Sequence, residues 1–193
     1  MTTCVAILAG GEGSRIGGGK PLVALGSMSL IERAVARAQG WSDEVVVALR
    51  SPDQLGGTAI HSIADNPAIA GPLGGLAAAL DWAKSEGAQT LLTIPCDMPL
   101  LPDELPHRLG AALDDHAAAL ASSGGRLHPV CGLWRVRVQQ AIPTYCATGH
   151  RSLRGFAEHV GFVAVDWPAE PVDPFFNINS RADLAEAERL LGH

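Results

Sequence analysis

Between Leu8 and Lys20 the chain reads LAGGEGSRIGGGK, and this stretch carries the densest chemistry in the sequence. Gly10, Gly11, Gly13 and Gly17 to Gly19 place no side chains between a ligand and the backbone, and they adopt positive φ freely. Their N–H groups can converge on an anion, with Arg15 and Lys20 adding full positive charge. Such a loop suits a polyphosphate, the bland alternative being a flexible turn with two incidental basic residues. Asp97 lies between prolines in PCDMP, and a carboxylate on a fixed loop is a good ligand for a hard cation such as Mg2+; the alternative is a cap for the helix that follows. Gly71, Pro72 and Leu73 open a further helix whose first backbone donors are free for a ligand, while Gly74 and Gly75 allow close approach or tight packing on the sheet. Asn177 and Asn179 are two apart in PFFNIN, and in an extended strand they share a side that could face the same cleft. His128 could meet an acceptor's phosphate or serve the fold alone. Arg151 and Arg154 could meet an anionic acceptor or form a solvated face. Cys96 has no histidine within local reach and reads as a small buried neighbour of Asp97.

Two common glycine motifs do not fit. A phosphate-binding Walker loop ending at Lys20 needs glycine where Ser14 stands, and Ser or Thr where Pro21 stands. A dinucleotide fingerprint starting at Gly11 needs glycine where Ile16 stands. What remains is L-A-G-G-x-G-x-R-hydrophobic-G…K, which resembles the signature of nucleotidyltransferases that activate sugars or cofactors with a nucleoside triphosphate.

The elements around these residues follow from periodicity. Cys4 to Leu8 is an apolar run suited to a buried parallel strand. Ser29 and Glu32 form a capping box for a helix over Leu30 to Gln39, with Leu30, Ile31, Ala34, Val35 and Ala38 on one stripe. Strands are expected at Glu44–Leu49, Ala59–Ile63, Thr90–Ile94, Ala117–Ala121, His128–Trp134, Gly161–Trp167 and Phe175–Asn179. Helices are expected after Pro72, over Pro102–His116, Val138–Cys146 and Leu153–His159, and after a Ser180 cap with Asp183 in its first turn. Strands alternating with helices imply parallel βαβ units. Ligands of such sheets lie beyond the carboxyl ends of the strands, which is where Asp97 falls.

Composition sets outer bounds. The 193 residues suggest one domain spanning 1–193, 47% hydrophobic and 18% charged. A net charge of −6 is unlike the basic footprint of a nucleic-acid binder. No apolar span is long enough for a membrane helix, no leader is visible, and Cys4, Cys96, Cys131 and Cys146 lack metal or disulfide spacing. The expectation is a cytoplasmic protein with reduced thiols.

LAGGEGSRIGGGK, GPLGG, PCDMP, RLHPVCGLW and PFFNINSRADL together resemble the molybdenum cofactor guanylyltransferases, over nearly the whole chain. The resemblance implies a three-layer α/β, Rossmann-like nucleotidyltransferase fold, with a mostly parallel sheet, one reversed strand and helices on both faces. It implies transfer of GMP from GTP to the phosphate of molybdopterin with release of pyrophosphate and Mg2+ as cofactor, and transient contact with other proteins of the cofactor's synthesis or use. By resemblance the nucleotide contacts fall on Leu8, Ala9, Gly10, Lys20, Asp65 and Asp97, with Gly11, Gly71, Pro72 and Leu73 beside them from the residue reading. Catalysis is expected of Arg15, Lys20 and Asp97, and cation binding of Asp97 and Asn179. The acceptor would meet His128, Asn177 and Asn179. Two departures stand out: Ile16 replaces the more usual Met, and the residues after Arg50 lack an asparagine that relatives use near the nucleotide. The alternatives are a cytidylyltransferase for the same pterin, a sugar-phosphate nucleotidyltransferase, or a nucleotide-sensing module with a decayed site. PCDMP, where cytidylyl relatives tend to have GDMP, favours guanylyl.

Overall fold

A computed structural model describes residues 2–10 and 19–192. Seven strands form one sheet in the order β5-β4-β1-β6-β8-β7-β9. They are β1 (Thr3–Leu8), β4 (Val45–Leu49), β5 (Ser62–Ala64), β6 (Thr90–Pro95), β7 (Ala118–Ser123), β8 (Arg126–Arg135) and β9 (Phe162–Trp167). β8 runs antiparallel to both β6 and β7, and every other pairing is parallel. A small hairpin, β2 (Ala24–Leu25) and β3 (Met28–Ser29), stands apart. The mostly parallel sheet with one reversed strand is therefore the observed one.

The strand sequences explain the layers. β1 is TCVAIL, buried on both faces as parallel strands between helices must be. Val5 and Ile7 pack with Ile31, Ala34 and Ala38 of α1 (Leu30–Gln39) and with Leu105 and Leu109 of α3 (Leu105–Leu113). Cys4 and Ala6 pack with Leu73, Leu76 and Leu80 of α2 (Pro72–Ser85), in one apolar cluster with Tyr145 of α4 (Ile142–Ala147) and Phe156 of α5 (Leu153–Val160). α6 (Arg181–Leu191) closes a satellite core of Leu25, Leu30, Ile178 and Ala187. The Ser29–Glu32 capping box forms as the sequence predicts, and the Ser180 side chain accepts from the Asp183 N–H at α6.

Four expectations need correction. The strand placed at Ala59–Ile63 lies at Ser62–Ala64, a short edge whose preceding residues are held by the local Ile60 N–H to Thr58 C=O bond. The helix expected over Pro102–His116 spans only Leu105–Leu113, with Pro106 in its first turn. Val138–Cys146 divides into a 3-10 stretch, Val136–Ala141, and α4, because Pro143 cannot donate inside a continuous helix and sits in the first turn of a new one. Phe175–Asn179 is not a strand. Asp173 accepts the Phe175 N–H on its side chain (2.9 Å) and the Phe176 N–H on its carbonyl (3.1 Å), which turns the chain.

Candidate nucleotide site

The sheet order reverses between β1 and β6: β4 and β5 lie on one side of β1, while β6 lies on the other. Leu8 pairs with Pro95 at the carboxyl ends of these two strands, so Ala9-Gly10 and PCDMP leave the sheet side by side. This is the crevice where open α/β sheets bind ligands.

Lys20 ends the glycine loop and begins a 3-10 turn, with Gly19 at φ 61 supplying a left-handed position before it. Its ammonium pairs with Asp97 Oδ2 and donates to Asn179 Oδ1 at 3.0 Å. The Lys20 and Asp97 side chains are only 12% and 15% exposed, so the pair is largely enclosed. Asp97 Oδ1 is buried with no partner, and so is Asn177 Oδ1. The Ile178 N–H donates to the Asp97 carbonyl (2.9 Å) and ties the asparagine segment to the PCDMP loop. Lys20, Asp97 and Asn179 thus come together although Phe175–Asn179 is no strand.

Asp97 and Asn179 fit a hard divalent cation. Both offer oxygen, one Asp97 oxygen is buried without a partner, and the Lys20 ammonium shows that positive charge is accommodated between the two residues. Among the described residues no group of three or more His, Cys, Asp or Glu forms a metal cage. Mg2+ needs none, since it is commonly held by one or two carboxylates together with substrate phosphates.

Asp65 leaves β5 at the same edge, its N–H bonded to the Leu49 carbonyl (2.7 Å). Burial raises its pKa above the usual carboxylate value, against the opposing charge of Arg50. Its Oδ1 is buried without a partner. Its Oδ2 lies so close to the Gly10 Cα that a Cβ there would collide with it. A Cβ on Gly75 would stand 3.1 Å from Oδ1 and 3.4 Å from Leu8 Cδ2. Gly10 and Gly75 therefore leave room for this carboxylate. Gly74 faces the Ile69 carbonyl, so its close approach is made by the chain itself. Gly71 adopts φ 75 at the N-cap of α2, and Gly71 and Pro72 are exposed at the helix entrance, while the Leu73 side chain is buried beneath them. The Ala9 N–H bonds the Ala48 carbonyl (2.9 Å), so at that residue only the carbonyl remains for a ligand.

Gly11 and Arg15 lie outside the described residues. His128 is 5% exposed, its Nε2 is 2.8 Å from Ser123 Oγ, and its ring stacks on Phe175 at 4.7 Å. Ser123 and Phe175 thus enclose its ring. Burial pushes the Cys96 thiol up to about 12, with Asp97 adding to the shift, so it is no thiolate nucleophile. Arg151 bonds the carbonyls of Cys146 and His150, and Arg154 pairs with Glu158 on an exposed helix face. What the sequence could not supply was the Asp65–Gly10 contact and the buried Ser123–His128–Asp173 chain, both made across turns by residues with no motif spacing.

Residues 5–169 match the MobA-like NTP transferase domain. The chain belongs to that family. Proteins similar to it include the molybdenum cofactor guanylyltransferase of Nitrobacter hamburgensis, 38% identical over 95% of this chain and 92% of the relative. The protein of the same name from Rhodopseudomonas palustris is 39% identical over 97% and 93%. Among solved structures, molybdopterin-guanine dinucleotide biosynthesis protein A of Archaeoglobus fulgidus superposes with a TM-score of 0.79 over 99% of both chains at 22% identity. The 4-diphosphocytidyl-2C-methyl-D-erythritol synthase of Anaerococcus prevotii has the same fold, at a TM-score of 0.75 over 100% of this chain and 96% of its own, and 13% identity. The MobA-like chain is a nucleotidyltransferase. No described helix is long and apolar enough to cross a membrane.

Proposed function

We propose that this chain transfers GMP from GTP to the phosphate of molybdopterin and releases pyrophosphate. The observation that carries the reading is the joining of Lys20, Asp97 and Asn179 at the β1–β6 switch, with one Asp97 oxygen still unpartnered. The names of the relatives, at 38% identity over almost the whole chain, support guanine and molybdopterin over the cytidylyl alternative.

The reaction forms a bond from a phosphate oxygen of the acceptor to the α-phosphorus of GTP and breaks the bond from that phosphorus to the bridging oxygen of pyrophosphate. An acceptor phosphate is already a nucleophile, so no general base is needed, in keeping with the protonated Cys96 and enclosed His128. The protein's work is positioning and charge stabilisation. Lys20 acts as a point charge on the phosphates, and Arg15 on the departing pyrophosphate. Mg2+ would be held by Asp97 and Asn179, where it supplies charge neutralisation at the phosphate oxygens. Asn177 and Asn179 face the acceptor side.

Asp65 reads the base. An ionised carboxylate only accepts hydrogen bonds, and guanine alone among the four bases presents two adjacent donors, N1–H and N2–H, on its pairing edge. The unpartnered Oδ1 is an acceptor still free for one of these donors. Cytosine would place an acceptor beside its single donor group and leave Asp65 poorly matched. Melting temperature with each nucleoside triphosphate and Mg2+ tests the reading. GTP is expected to stabilise most, by about 1.4 kcal/mol for each tenfold preference at saturation. CTP ranking first would replace guanylyl with cytidylyl transfer.

A further inference from the structure

Asp97 and Asn179 are held from one side by a segment, 173–179, that has no regular secondary structure. Something other than a helix or strand must fix it. At one end it is tied by the Ile178 N–H to the Asp97 carbonyl and by the burial of Ile178 in the satellite core. At the other it meets a buried polar chain at the ends of β7 and β8.

Ser123 closes β7 and is 2% exposed. Its hydroxyl donates to Asp173 Oδ1 at 2.8 Å, and its oxygen is 2.8 Å from His128 Nε2. Because the single hydroxyl proton goes to Asp173, the ring must be the donor at Nε2. The hydrogen bonds therefore run His128 to Ser123 to Asp173. Asp173 Oδ1 accepts the Phe175 N–H as well (2.9 Å). The Phe175 ring is gripped between His128, stacked at 4.7 Å and 15°, and Trp167, edge-on at 5.4 Å and 74°.

His128 reaches this place through a local disruption of β8. Leu120 is opposite Gly132, but Ala121 is opposite His128, so residues 129–131 bulge out of the ladder. Bulges re-aim side chains and recur beside functional sites. A Ser, a His and an Asp are the members of a nucleophilic triad, but here the serine is central, donates to the carboxylate and is buried. No base takes its proton. Burial keeps the ring below the ordinary histidine pKa, against Asp173, which favours its charge, and with Arg126, which opposes it.

We propose that His128, Ser123 and Asp173 are positioning residues for the nucleotidyl-transfer site: together they anchor the strap whose far end holds the Asp97 main chain and presents the Asn177 and Asn179 carboxamides. The inference rests on the assignment of cation binding to Asp97 and Asn179. The strap has only Phe176 and Asn177 between its two fixed points, Phe175 and Ile178. It also carries a buried carboxamide oxygen, on Asn177, that has no partner. Such an oxygen costs stability unless a ligand meets it, so its placement must be enforced from elsewhere.

The test compares Ser123→Ala, Asp173→Ala and Asp173→Asn with the parent chain. Asn at 173 keeps the Oδ1 acceptor for both Ser123 and Phe175. Two readouts are Mn2+ affinity in the presence of GTP, by electron paramagnetic resonance, and exchange of the Ile178 amide proton without ligand. Mutation of a group that orients a ligand costs metal affinity about 10- to 100-fold, which is the loss expected for Ser123→Ala and Asp173→Ala. Ile178 exchange should speed up in both, and Asp173→Asn should restore both readouts. GTP affinity without the cation should hold, separating positioning from general loss of the fold. Should Ser123→Ala fail to fold, the half-buried Asp173 pair carries the test alone. Unchanged Mn2+ affinity and Ile178 exchange in Asp173→Ala would overturn the proposal. Mn2+ binding that survives Asp97→Ala would instead overturn the cation assignment beneath it.

Discussion

Replacing Asp65 with Asn isolates base recognition from phosphate binding. The carboxylate has one buried oxygen without a partner and the other packed against the Gly10 Cα, and in the proposed reading it meets guanine's donors as an acceptor. Asn keeps one acceptor and turns an NH2 group toward a donor. The change thus removes at least one hydrogen bond to a charged group, worth about 1.5–3 kcal/mol, or roughly 10- to 150-fold in affinity. Calorimetric titration should show GTP binding weakened by that factor and CTP binding almost unchanged. The free protein should lose little stability, because the carboxylate is buried at a cost. Sign follows from its raised pKa: above the ordinary value of 3.8 the unfolded chain releases a proton that the folded chain retains, so stability falls as pH rises through the folded value and is level beyond it. That fall should vanish in Asp65→Asn. GTP affinity of the parent should rise with pH over the same window, since the ionised form accepts the guanine donors. Equal GTP affinities for parent and variant at neutral pH would refute the assignment of Asp65 to the base.

Asp97→Ala should keep its melting transition and lose on the order of a thousandfold in Mg2+-supported rate, measured by pyrophosphate release. Lys20→Ala should raise KM for GTP and lower kcat together, on the order of a hundredfold in kcat/KM, whereas Arg15→Ala should lower single-turnover rate more than affinity. Gly10→Ala drives a Cβ into Asp65 Oδ2, so GTP affinity should fall by up to about a hundredfold through misplacement of that carboxylate, with little effect on CTP. Burial holds the His128 ring below the ordinary histidine value of 6.5, so its contribution to stability should be full above that pH and decline as pH falls through the lower folded value, a slope absent in His128→Phe.

Local signals in the sequence carried far into the structure. The Ser29–Glu32 box and the Ser180 cap depend on residues three apart, and both form. The apolar run of β1 and the place of Asp97 after β6 follow from burial on both faces and from the sheet's carboxyl edge. Failures came where a distant partner overrode a local pattern. Alternation at Phe175–Asn179 resembled a strand, but the Asp173 side chain captured the backbone first. His128 looked available at the start of a strand until the bulge over residues 129–131 turned it toward Ser123. Ala9 could not be known to lack a free N–H without the β1–β4 pairing that consumes it. Gly10 gained its steric reason only from Asp65, 55 positions later in the chain.

The central claim is tested most directly by product formation. The purified chain is incubated with molybdenum-loaded molybdopterin, Mg2+ and each nucleoside triphosphate labelled at the α-phosphate, and the label joined to the pterin is followed together with pyrophosphate. One labelled product is expected, from GTP, with one pyrophosphate released for each GMP transferred. Transfer from CTP in preference to GTP, or pyrophosphate release without label on the pterin, would contradict it.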